Sequence, residues 1–115
     1  MTVLNVLAAL LTIGFGLIGW LAPGYTMRVL ELTAGPRREG VSEVRAASGA
    51  LFVAMGAAAL AIGQPLAYAM LGFMYLGAGT GRITSIALDR SGTRMIWLFF
   101  VSELGLGMYL AWANL

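Results

Sequence analysis

Long runs of apolar residues, separated by short polar segments, follow one another along the whole chain. Each run has about 18 to 23 residues, and about 20 residues suffice for a helix to cross a hydrocarbon core of about 30 Å. The pattern therefore predicts an all-α integral membrane protein, a four-helix antiparallel bundle formed by residues 1–115 as one domain. The predicted helices cover residues 3–22, 46–63, 66–88 and 95–115.

The polar segments contain the residues that end helices. Pro23-Gly24 closes the first apolar run, residues 63–65 (GQP) separate the second from the third, and residues 89–93 (DRSGT) precede the fourth. Residues 25–33 (YTMRVLELT) place apolar and charged positions on different helical faces, as a helix lying in the membrane interface does. A short interfacial helix is therefore expected between the first and second spans.

Composition narrows the possible functions. The chain is 60% hydrophobic, with seven arginines as its only basic residues and five acidic residues. It has no cysteine and no histidine, which removes disulfides, thiolate or imidazole metal sites and histidine-ligated haem. It also lacks the residues for Ser/His/Asp or Cys/His catalysis, so we expect a non-enzymatic protein with no cofactor and no metal. A net charge of +2, with arginines close to helix ends, argues against nucleic acid as a partner.

The arginines also predict the orientation in the membrane. They all lie in or beside the segments after the first and third predicted helices, which share one side of a four-helix protein. By the positive-inside rule those segments face the cytoplasm, and both termini face outward. The start of the chain, MTVLN, has no basic residue, so the first apolar run is expected to be a retained helix rather than a signal peptide.

Two ionisable residues lie deep in predicted spans. Arg82 is roughly 9 Å and Glu103 roughly 12 Å from the cytoplasmic helix ends, at 1.5 Å per residue. A charge near mid-membrane costs about 2.5 to 3.5 kcal/mol on the insertion scale, so such groups usually face the bundle and pair. A turn centred near Gly92 places the two residues level with each other.

Other polar side chains are predicted to join this pair. Ser85 and Asp89 follow Arg82 at i+3 and i+7 on one helical face. Counting from the turn at residues 63–65 places Arg82 level with Ala47, with Glu43 one turn towards the cytoplasm and Arg45 close by. The predicted polar cluster therefore consists of Glu43, Arg45, Arg82, Ser85, Asp89 and Glu103. It is either a buried ion network that fixes helix register, or a proton relay or an anchor for an anionic head group.

Glycine is frequent inside the predicted helices. Small residues let helix backbones approach closely, which is how helices associate where lipid is as apolar as leucine. The expected packing positions are Gly49, Gly56, Gly77, Gly81 and Gly105.

Three segments, SEVRAASGALFVAMG, GRITSIALDRSG and SELGLG, resemble the small bacterial membrane proteins grouped as domain of unknown function 4345. The resemblance covers nearly the whole chain, and the matching positions are Glu43, Arg45, Gly49, Gly81, Arg82, Ser85, Asp89, Glu103 and Leu104. The chain departs from the pattern at Arg90-Ser91, which separates Asp89 from Gly92, and at Ala47-Ser48. The family has no established activity, and a distant similarity to DoxX-like four-helix proteins is one of fold, which does not transfer function.

Together these features indicate a protein of the bacterial inner membrane whose partner is the lipid bilayer. We expect either an accessory subunit of a larger membrane complex or a binder of a lipid-like small molecule. The alternative is a small homo-oligomeric transporter or proton-coupled permease that uses Glu103.

Overall fold

The computed structural model describes residues 2–115, and within that range all regular secondary structure is helical, which confirms the all-α prediction. The five helices are α1 (Val3–Leu21), α2 (Pro23–Val29), α3 (Glu39–Ile62), α4 (Pro65–Asp89) and α5 (Arg94–Asn114).

Helix α3 begins at Glu39 rather than at position 46, because its first turns carry charged residues that an apolar pattern does not detect. Within it, residues Ala46–Ala50 form a π-helical segment. A π turn inserts an extra residue into the hydrogen-bond ladder and is frequent at functional sites.

Three of the helices, α1, α3 and α5, are long and apolar enough to cross a membrane. Their apolar side chains largely remain exposed: 17% of the residues in the apolar stretch of α3 are buried, and the same share in α5. Leu98 is 63% exposed and Trp112 is 69% exposed. Because a large apolar side chain left in water forgoes about 1.5–3 kcal/mol, these helices require an apolar surrounding and suggest a membrane protein.

Helix α4 is the longest at 25 residues but is not one of these three candidate spans. The mean hydropathy of α4 is lowered by its glycines, its threonines and Arg82. That residues 66–88 also cross the membrane therefore stays a prediction.

The described chain divides into two compact units, residues 2–62 and residues 63–115, which we call the N-terminal and C-terminal units. In the N-terminal unit α1 packs antiparallel against α3. A Cβ added to Gly49 would lie 2.5 Å from the backbone nitrogen of Trp20, and one added to Gly56 would lie 2.8 Å from the carbonyl oxygen of Ala9. The two backbones approach so closely there that no larger residue fits without movement.

In the C-terminal unit α4 packs antiparallel against α5. A Cβ added to Gly72 would lie 2.6 Å from the Ala111 backbone nitrogen, and one added to Gly107 would lie 2.9 Å from the Gly72 carbonyl oxygen. Leu110 and Ala111 are fully buried at this crossing. The closest helix approach in this unit is therefore at Gly72 and Gly107.

Three glycines that the sequence predicted as packing positions have different surroundings. At Gly77, Gly81 and Gly105 an added Cβ would meet no other atom within 4 Å. Glycine content alone does not identify which face of a helix meets its neighbour, since the contact depends on the crossing point of the two helices.

Candidate functional site

An ion pair joins the two helices of the C-terminal unit. Arg82 on α4 donates a hydrogen bond from Nε to Oε1 of Glu103 on α5, at 3.0 Å. The Arg82 side chain is 33% exposed and that of Glu103 is 15% exposed. Arg82 and Glu103, which the sequence predicts to lie at the same level of the two helices, are thus in direct contact.

Two neighbouring residues, Gly79 and Phe99, surround this ion pair at the interface of α4 and α5. Gly79 lies one turn from Arg82, and a Cβ added there would be 3.8 Å from Cβ of Glu103, so the helices are close at this level. The Arg82 guanidinium carbon lies 5.1 Å from the centre of the Phe99 ring, a distance at which a cation is attracted by the ring face. Arg82 therefore has an anionic and an aromatic partner, both on α5.

The pair can link the helices and neutralise the Glu103 carboxylate. A charge-assisted hydrogen bond is roughly twice as strong as a neutral one, and it fixes one helix against the other at a single register. Such a contact is also a route by which an acidic side chain can exist inside a candidate span. The contact can therefore act as a link between α4 and α5.

Ser85 belongs to a second polar contact in the same unit. Its hydroxyl oxygen lies 2.8 Å from that of Ser91 in the turn after α4. Asp89 is the exposed last residue of α4, and Arg90, which follows it, has a left-handed backbone with φ 54°. Ser85 thus connects the end of α4 to the turn that follows it.

Glu43 and Arg45 lie in the N-terminal unit, on the first turns of α3. Arg45 donates a hydrogen bond from Nη1 to the carbonyl oxygen of Trp20, at 2.6 Å. Glu43 is exposed on the helix. Their convergence with Arg82, Ser85 and Glu103 into one cluster stays a prediction.

Arg45 also lines an open groove of about 490 Å³ between the end of α1 and the start of α3. The lining residues are Trp20, Arg38, Val41, Ser42, Arg45, Ala46 and Ala50. Two of them, Ala46 and Ala50, are the first and last residues of the π-helical segment, so the irregular turn of α3 forms part of the groove wall.

The groove combines an apolar wall with two cations. The indole of Trp20 and the small side chains of the π segment supply the apolar surface, and Arg38 and Arg45 supply the charge, with no acidic residue in the lining. Arg38 adopts a left-handed backbone, with φ 58° and ψ 24°, immediately before α3. Its carbonyl oxygen accepts from Val41 N at 3.1 Å, which fixes that backbone at the groove edge.

The sequence did not predict the groove. Trp20 is typical of an aromatic belt and Arg38 of a charged loop, and nothing in the pattern brings them together, because the π segment that shapes the wall has no sequence signature. Arg45 is the one residue shared by the predicted cluster and the groove. Among residues 2–115, no three acidic side chains lie close enough to hold a metal ion.

Fold and geometry define a class: a small helical protein with three candidate membrane spans, an interhelical ion pair and a basic groove. The chain belongs to the family described as Domain of unknown function (DUF4345), whose model matches residues 1–114. Neither the curated proteins nor the solved structures contain a significant match to it.

Proposed function

We propose that the protein is a non-enzymatic integral membrane protein that binds a lipid-like amphiphile in the groove beside Trp20 and Arg45. The observation that carries this proposal is the groove itself, which offers apolar and cationic surface together at the end of the candidate span α1. An amphiphile has the matching distribution, with an apolar body and a polar end. Ligand pockets of this kind are largely apolar with a few polar groups that fix orientation.

The proposal includes four antiparallel spans in the bacterial inner membrane, with α4 as the third. At 1.5 Å per residue its 25 residues measure about 37 Å, enough to cross the hydrocarbon core. Arg82 lowers the apolar character of α4, but its contact with Glu103 reduces the cost of that charge in the membrane. The arginine-rich segments, and with them the groove, then face the cytoplasm.

A role as accessory subunit is compatible with the same architecture, since apolar faces of α1, α3 and α5 can contact lipid or another membrane protein. The two roles differ in what remains bound after gentle extraction. An accessory subunit retains a partner protein, whereas an amphiphile binder retains a small molecule.

Native mass spectrometry after extraction in a mild detergent tests the proposal. We expect the wild-type protein to carry a bound amphiphile and Trp20→Ala to lose it. Trp112→Ala is the matched control, because Trp112 lies in the C-terminal unit and does not line the groove. A wild-type protein with no bound amphiphile, or one whose amphiphile survives Trp20→Ala, contradicts the proposal.

The alternative function is a homo-oligomeric transporter or proton-coupled permease. The observation that favours it is the acidic Glu103 inside the candidate span α5. In proteoliposomes such a protein shows proton-coupled flux that Glu103→Gln abolishes while the helix content is unchanged. Because Glu103 already contacts Arg82, we favour the structural role for this residue.

A further inference from the structure

We propose that the groove holds the phosphate group of an anionic ligand between Arg38 and Arg45. This inference rests on the proposed function, since it names the polar end of the amphiphile bound at the same groove. The groove residues come from the end of α1 and from the first turns of α3.

The first argument is charge. Arg38 and Arg45 both line the groove, and among residues 2–115 neither forms an ion pair with a carboxylate. The acidic residue beside Arg38 is Glu39, which pairs with Arg37 at 3.1 Å and points to a different partner. The groove therefore holds two positive charges that the protein itself does not neutralise.

The second argument is geometry. The hydrogen bond from Arg45 Nη1 to the Trp20 carbonyl oxygen holds the guanidinium at the groove while using one of its five N–H donors. The remaining donors form the planar fork that matches phosphate oxygens. Arg45 is thus positioned by the protein and still has donors for a ligand.

The third argument is the backbone of Arg38. A left-handed conformation is unfavourable for a residue with a side chain and persists where the surroundings hold it. Here it places the arginine at the groove edge, directly before the first residue of α3. Arg38 and Arg45 are about two helical turns apart and both line the groove, so they lie on the same face of the helix start.

Trp20 supplies the surface beside the phosphate. Tryptophan prefers the level of the lipid headgroups, where its ring contacts apolar matter and its N–H contacts polar groups. A phospholipid bound with its phosphate between the arginines would have its glycerol and upper chains along Trp20 and the π segment. The same phosphate chemistry is offered by soluble phosphate esters, which lack the apolar part.

The test compares binding of phosphatidylglycerol, phosphatidylcholine with the same acyl chains, and sn-glycerol 3-phosphate to the full chain in a neutral detergent, by native mass spectrometry titration. We expect phosphatidylglycerol to bind best and its affinity to fall with added salt. Arg38→Asn should weaken phosphatidylglycerol about fivefold, the effect of about one arginine near a headgroup. Asparagine tolerates the left-handed backbone, so the helix start is preserved.

Arg90→Asn is the matched control, because Arg90 is also an arginine in the left-handed conformation and does not line the groove. It removes the same charge from the chain, so a general electrostatic effect would weaken binding equally in both variants. Equal weakening overturns the inference.

The remaining outcomes separate the two proposals. If both lipids bind, both are lost in Trp20→Ala and neither is weakened by Arg38→Asn, the amphiphile site stands and the phosphate inference is wrong. If glycerol 3-phosphate binds as well as phosphatidylglycerol and depends on Arg38, the phosphate inference stands with a soluble ester as its source, and the amphiphile proposal falls. If none of the three binds, both are wrong.

Discussion

We expect the two single variants that break the Arg82–Glu103 contact to lose unequal amounts of stability. Arg82→Ala leaves Glu103, which is 15% exposed, without a cation. Glu103→Ala leaves Arg82, which is 33% exposed and has a long side chain that can reach the polar interface. The variant that strands the carboxylate should therefore be the less stable of the two.

The expected losses in the free energy of unfolding follow from how buried each side chain is and from its position in a candidate membrane span. An unpaired charge near mid-membrane costs about 2.5–3.5 kcal/mol on the insertion scale, so Arg82→Ala should lose about 2–3 kcal/mol. Glu103→Ala should lose about 1–2 kcal/mol, because an exposed and mobile guanidinium recovers part of its solvation. The double variant strands no charge and should be at least as stable as Arg82→Ala alone.

Equilibrium unfolding in mixed micelles with increasing sodium dodecyl sulfate, followed by far-ultraviolet circular dichroism, measures these free energies. The four proteins of the cycle give a coupling energy, expected at about 1–2 kcal/mol, near the upper end of interhelical contacts in membranes. A second cycle with Arg94→Ala in place of Arg82→Ala is the control, since Arg94 is exposed at the start of α5 and should be additive with Glu103→Ala.

Two results would refute the reasoning. Additivity of Arg82→Ala and Glu103→Ala within about 0.5 kcal/mol would mean that the contact does not link the helices. A larger loss in Glu103→Ala than in Arg82→Ala would mean that burial does not set the cost of the unpaired partner.

The close helix crossings and the proposed topology give three further predictions. Gly72→Ala forces backbone atoms apart and should destabilise by about 1–3 kcal/mol in the same titration, whereas Gly77→Ala has open space and should be neutral or slightly stabilising. Gly49→Ala should behave like Gly72→Ala, and a loss no greater than that of Gly77→Ala would contradict the close approach. Because the chain has no cysteine, a membrane-impermeant maleimide should label Gln64→Cys in intact spheroplasts and Ser91→Cys only after lysis; the reverse pattern inverts the topology.

The features that the sequence predicted are those controlled by short-range chemistry. Helix boundaries fall at residues such as Pro65, which is the first residue of α4, and Thr93, whose hydroxyl accepts from Ile96 N at the start of α5. The level of Arg82 against Glu103 followed from counting outward from one short turn. Both the helix boundaries and the level of these two residues depend on residues that are close in sequence or joined by a short turn.

The features that the sequence did not predict depend on how helix surfaces meet. Glycine spacing does not distinguish Gly72, which lies at a helix crossing, from Gly77, which does not. The polar start of α3 continues a helix beyond its apolar run, and the π turn that follows has no residue signature. The groove arises from both, since the early start brings Arg38 and Arg45 alongside Trp20.

The arginines of the chain consequently have two different kinds of partner. Arg82, inside α4, is paired with the carboxylate of Glu103, so the protein itself supplies its counter-charge. Arg45 has only a backbone carbonyl, which is a dipole and leaves its charge unbalanced. Both Arg38 and Arg45 are exposed, so solvent already screens their charges, and an external anion stabilises this side of the protein through its own binding free energy. Binding of such an anion should therefore stabilise the N-terminal unit, by an amount that grows with ligand concentration.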